Sequence, residues 1–148
     1  MNIIVSACLL GENVKYNGGN NHHDQLINIL KGHNIIPVCP EVAGGLPIPR
    51  APVEIKDGHV LSRDGKNFDK NFAKGCRKTI QKICSAIDIK EIDFAILQSR
   101  SPSCGVNEIY DGSFSGKRIK GQGIFVQHLL ELGIHVLDIE DFTPEWFE

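Results

Sequence analysis

Apolar residues along this chain come in short unbroken blocks, separated by segments with helical periodicity. Asn2–Ala7 (NIIVSA) is apolar and β-branched, which predicts a strand buried on both faces. A polar, glycine-rich connection runs from Gly11 to Asn21. Leu26, Ile29 and Leu30 then recur at helical spacing before Gly32, so a helix is expected over His23–Lys31. Asn34–Val38 (NIIPV) predicts a second buried strand. From Pro37 to Pro52 the chain holds five of its seven prolines together with Gly44-Gly45, and this stretch is read as a stiff loop, neither helix nor inner strand. Val53–Lys56 and His59–Ser62 flank Asp57-Gly58, a strong hairpin signal. Asp69–Ile87 is the longest helical segment, with one apolar stripe of Phe72, Cys76, Ile80, Ile83, Cys84 and Ile87. Phe94–Leu97 predicts a third strand. A polar loop covers Asp111–Gly123, an amphipathic helix Ile124–Leu132 closes at Gly133, and Ile134–Leu137 predicts a fourth strand.

Strands alternating with helices describe an α/β fold: a three-layer, Rossmann-like domain over residues 1–148, with a mostly parallel sheet of about four strands. The short β-hairpin is expected as an appendage to that sheet or its edge. Right-handed crossovers bring the C-terminal ends of parallel strands to one edge, and ligands of open sheets bind beyond it.

Composition narrows the function classes. A chain of 148 residues buries roughly two-thirds of its unfolded surface and needs no disulfide or metal for stability. A formal charge of −2 gives no global basic excess to recommend nucleic acid as a partner. No apolar run approaches the roughly 18 residues of a membrane span, and no basic residue precedes Lys15, so neither a membrane anchor nor a signal peptide is expected. A cytoplasmic location follows as the expectation. Five cysteines in such a chain point to metal or thiol chemistry.

Cys8 and Cys39 directly follow the first two strands, and Cys104 lies a few residues past the third. A parallel sheet would bring these three thiols to one edge. Cys76 and Cys84, on the helix stripe, read as small hydrophobes. Three thiolates without an obvious fourth ligand fit two chemistries: a Cys₃ zinc site with an open position, or a [4Fe–4S] cluster with one iron free as a Lewis acid. No histidine lies beside the three cysteines in sequence, which favours the cluster. Glu41 sits in the proline-rich loop, where a fixed backbone would hold a carboxylate still. Ser101 and Ser103 bracket Pro102 just before Cys104-Gly105; they read by default as loop caps and, in a cluster site, as proton donors or relays. Arg50 and the Asp111–Gly116 loop (DGSFSG) are candidate substrate contacts.

Val5-Ser6-Ala7-Cys8-Leu9-Leu10-Gly11, Pro37-Val38-Cys39-Pro40-Glu41-Val42 with Gly44-Gly45-Leu46-Pro47, Ser101-Pro102-Ser103-Cys104-Gly105 and Ile109–Gly116 (IYDGSFSG) together resemble the TudS-type thiouracil desulfidase family. The resemblance spans nearly the whole chain. It implies a [4Fe–4S] cluster held by Cys8, Cys39 and Cys104, and removal of sulfur from thiolated pyrimidines such as 2-thiouracil to give uracil and sulfide. It implies Glu41 and Ser101 as the catalytic pair, with Ser103 a candidate substrate contact. The family more often carries Asp and Lys where this chain has Asn17 and Gln98. Some members are fused to a second domain that directs them to thiolated tRNA; with no such domain here, the expected partner is a small thiolated nucleobase or nucleoside. A redox-sensing or electron-transfer iron–sulfur protein and a Cys₃ zinc hydrolase remain the alternatives.

Overall fold

The computed structural model describes residues 1–148. Its centre is a four-stranded sheet of β1 (Asn2–Ser6), β2 (Asn34–Val38), β5 (Phe94–Leu97) and β8 (Val136–Asp138), in the order β2-β1-β5-β8. Every neighbouring pair is parallel, with Ile4 opposite both Ile36 and Ala95, and Ile96 opposite Leu137. The alternation of side chains along these strands feeds two cores. Ile4, Ile36, Ala95 and Leu97 pack under α3 (Asp69–Ala86) and α4 (Ile124–Glu131), meeting Cys76, Ile83, Phe125 and Leu129. Ile3, Val5, Phe94 and Ile96 face the other way, onto Leu26 and Leu30 of α1 (Asp24–Leu30) and Ile139, Trp146 and Phe147 near the C-terminus. The three layers match the expected architecture.

The chain runs from β1 outward to β2, then returns across β1 to β5 and β8. The direction of travel therefore switches between β1 and β5, and the crevice beyond their C-terminal ends is where such sheets bind ligands.

Local readings depart from the sequence expectation at several points. The proline-rich stretch is not all loop: Pro40–Ala43 forms a helical turn, α2, with Pro40 at its first position, where the missing N–H costs nothing. Its seat on α3 depends on two glycines. A Cβ on Gly75 would lie 1.9 Å from the Pro40 carbonyl oxygen, and one on Gly44 would lie 2.1 Å from that of Asn71. The hairpin β3 (Val53–Lys56) and β4 (His59–Ser62) has the expected bounds but forms a separate two-stranded sheet, not an edge of the main one. A second hairpin, β6 (Glu108–Tyr110) with β7 (Arg118–Lys120), occupies the segment read as loop. Its strands are three residues long and β7 is fully exposed, so no apolar alternation marked it. The last strand begins at Val136 rather than Ile134. Cys84 is exposed, whereas Cys76 is buried; α3 turns its Phe72, Gly75, Cys76, Thr79 and Ile83 inward and leaves Cys84 outside that face.

Candidate active site

Three strand ends build the site. After β1, Ala7–Leu10 winds into a 3-10 turn that carries Cys8, closed by Gly11 in the left-handed conformation. Asn21 returns along this turn and grips Cys8 twice: its backbone N–H donates to the Cys8 carbonyl at 2.9 Å, and its amide Nδ2 to the Cys8 sulfur at 3.6 Å. Cys39 is the residue before α2, and the amides of Glu41 and Val42 face its sulfur without closing a cap hydrogen bond. Past β5, Ser101–Gly105 forms a tight turn whose Gly105 N–H donates to the Ser101 carbonyl at 2.9 Å. That turn is welded to α4, because Pro102 and Ser103 carbonyls accept the free amides of Ile124 and Phe125 at 2.9 and 3.0 Å. Cys104 is thereby fixed and buried.

Cys8, Cys39, Cys104, Glu41, Ser101 and Ser103 all line one cavity of about 530 Å³ at the switch between β1 and β5. Arg50 lines it as well, and of the Asp111–Gly116 loop Phe114 and Gly116 do. No histidine lines it. His22 pairs with Asp24, and His23 caps α1 by accepting from the Leu26 amide at 3.1 Å. No three His, Cys, Asp or Glu side chains gather tightly enough to hold one metal ion. A single tetrahedral zinc, with Zn–S bonds of about 2.3 Å, needs such a grouping. Burial pushes the Cys8 thiol up, partly offset by the Asn21 hydrogen bond, and pushes Cys39 up as well; Cys104, the deepest, is pushed up furthest. A nucleophilic cysteine has the opposite shift.

Beside the thiols runs a polar chain whose links the sequence did not reveal. Ser103 Oγ donates to Glu41 Oε2 at 2.7 Å, and Arg50 Nε donates to Glu41 Oε1 at 3.3 Å. Arg50, with a side chain only 6% exposed, also donates to the carbonyls of Val14 (2.8 Å) and Pro47 (3.3 Å). It therefore ties its own loop to the Val14 loop and to α2, and it lines the cavity where the sequence suggested a substrate contact. Ser101 Oγ accepts the backbone amides of Ser103 (3.2 Å) and Cys104 (3.0 Å), the loop-cap role expected by default. Both lone pairs being used, its proton is left to donate, and Ser103 Oγ lies 3.0 Å away. The result is a directed series of hydroxyls, Ser101 to Ser103 to Glu41. Asn21 and the Arg50–Glu41 pair carried no signal in spacing or periodicity, since neither contact follows a helical or strand repeat.

An open α/β sheet carries one buried and two half-buried thiols and a hydrogen-bonded carboxylate at its switch point, a donor set suited to a metallocofactor. The comparisons agree. The family model described as 2-thiouracil desulfurase matches residues 3–141, and the chain belongs to that family. The protein YbbK of Bacillus subtilis (strain 168) is 32% identical over 147 residues, covering 91% of this chain and 93% of its own. A solved structure described as a [4Fe-4S]-dependent thiouracil desulfidase, TudS, superposes with a TM-score of 0.86 at 38% identity, covering 99% of this chain and 95% of the other.

Proposed function

We propose that residues 1–148 act as one desulfidase-like domain, a [4Fe–4S]-dependent enzyme that removes sulfur from a thiolated pyrimidine base or nucleoside such as 2-thiouracil. The observation that carries this reading is the meeting of three thiols and the Ser101–Ser103–Glu41 chain in one cavity of a protein with this family membership. The donor set fits the cluster. Iron–sulfur clusters take soft thiolates, each on a different iron, so their ligands stand apart by the width of the cluster instead of crowding one ion. Three thiols with no histidine and no single-ion grouping match that demand. Cys8, Cys39 and Cys104 would hold it, with Asn21 orienting Cys8. Five cysteines, all free thiols, support work in the reducing cytoplasm.

When bound, the cluster supplies an iron with an open position, a Lewis acid for the thiocarbonyl sulfur and an acceptor for the sulfide that leaves. Glu41 takes a proton from the water whose oxygen bonds to the thiocarbonyl carbon, and the C–S bond breaks with sulfur departing as sulfide. Water enters, sulfide leaves, and no net electrons move. Arg50 and Ser103 hold the carboxylate still, one on each oxygen, and Ser101 orients Ser103. General acid–base help of this kind is worth roughly 10²–10⁴-fold.

The test is anaerobic reconstitution with iron and sulfide, then assay on 2-thiouracil for uracil and sulfide. Cys39→Ala should lose both cluster absorbance and turnover. Glu41→Gln should keep the absorbance and lose about 10²–10⁴ in rate. Full turnover by Cys39→Ala refutes the reading, and reversible redox cycling without any action on 2-thiouracil returns the electron-transfer alternative.

A further inference from the structure

Of the three non-glycine residues with positive φ, Asp57, Arg100 and Phe114, Phe114 is the apolar one. It sits at the tip of the β6–β7 hairpin with φ +56°, a conformation that bulky L residues avoid. It belongs to none of the three apolar clusters, so core packing does not account for it. Yet the surrounding structure holds it there. Glu54 Oε1, from β3, accepts the amides of both Gly112 (3.0 Å) and Phe114 (3.2 Å). Gly112, at φ +92°, lets the loop press on β3, where a Cβ would come 2.6 Å from that of Lys56. Strain that neighbours over-determine collects at functional positions. Phe114 and Arg63 both line the cavity of the three thiols, and the Arg63 guanidinium carbon stands 5.3 Å from the Phe114 ring centroid. An aromatic ring and a guanidinium plane are the two surfaces on which planar heterocycles stack.

We propose that Phe114, supported by Arg63, is the stacking platform for the planar ring of the substrate, and that Glu54 is the positioning residue that presents it. This rests on reading the cavity as a pyrimidine site, and it adds a recognition element to which the cysteines and Glu41 contribute nothing. Stacking on an aromatic is shape-selective for flat rings and tolerant of their substituents.

The test is calorimetric titration of uracil into the anaerobic holoprotein, paired with steady-state kinetics on 2-thiouracil. Phe114→Leu keeps apolar area without a stacking face; it should weaken uracil binding and raise KM about 5- to 150-fold, with kcat changed far less and cluster absorbance unaltered. Phe114→Tyr should restore both. Glu54→Ala should reproduce the Phe114→Leu defect, while Glu54→Gln, which keeps an acceptor oxygen, should rescue it in part. Uracil affinity and KM within twofold of wild type in Phe114→Leu overturn the proposal, as does a wild-type protein that binds no uracil. Wild-type uracil binding that needs Phe114, without any desulfidation, sinks the reaction and leaves the platform standing.

Discussion

Ser103 is the hinge of the polar chain, and removing its hydroxyl gives the sharpest test of that arrangement. Ser103 is 1% exposed, and its Oγ lies 2.7 Å from Glu41 Oε2. A hydrogen bond to a charged group contributes about 1.5–3 kcal/mol, and Ser103→Ala deletes the donor. For a chain near 150 residues each kcal/mol moves Tm by about 2–4 °C, so a loss of about 3–12 °C is expected. Packing alone could produce a drop of that size, and a double-mutant cycle separates the causes. Glu41→Ala removes the acceptor and leaves the Arg50 guanidinium buried without its charge partner. If the contact is as drawn, Ser103→Ala should cost about 1.5–3 kcal/mol less in the Glu41→Ala background than in wild type. The assay is urea unfolding under anaerobic, reducing conditions with unchanged m values. Additivity of the two substitutions within about 0.5 kcal/mol would refute the Ser103–Glu41 link.

Arg50→Met should destabilise by about 3–5 kcal/mol, because it strands Glu41 and frees two loop carbonyls; a melting curve checks this, and Arg50→Lys should recover only part of the loss. Gly75→Ala should lower stability by about 1–3 kcal/mol despite alanine's better helix propensity, since its Cβ would sit 1.9 Å from the Pro40 oxygen. The displaced α2 should also lower kcat through Glu41, which kinetics on cluster-loaded protein would register. Mass-spectrometric mapping after brief alkylation near neutral pH should label exposed Cys84 and spare Cys76, whose thiol burial pushes up to about 12. Unfolded Cys76 loses its proton near 9.0, so the folded state binds the extra proton between the two values. Cys76 should therefore make stability fall as pH rises through that window, and Cys76→Ala should flatten the alkaline limb.

The reading of the cysteines shows how far local pattern reaches. Placing Cys8, Cys39 and Cys104 at three strand ends required only the strand blocks and the rule that parallel strands end on one edge. Separating Cys76 from Cys84 failed, because the stripe drawn on α3 was wider than the face the sheet covers. The proline-rich stretch hid a helical turn, since proline forbids helix interiors but suits a first position. The family resemblance pairs Ser101 with Glu41; in the structure backbone amides occupy Ser101, and Ser103 engages that carboxylate, sixty-two residues earlier in the chain.

What the amino-acid order determined by itself was therefore the set of buried strands, the main helices, the first hairpin and the positions of the thiols along the chain. Those features follow from periodicity and turn chemistry, which act over a few residues. The tertiary structure decided the strand order β2-β1-β5-β8 that gathers the thiols, the Arg50–Glu41–Ser103–Ser101 chain and the hairpin loop that raises Phe114. The strand order, the Ser103–Glu41 link and the seat of the hairpin loop on Glu54 join segments distant in sequence. Their energies come from burial and hydrogen bonds that exist only once the sheet has assembled, so no local window of sequence contains them.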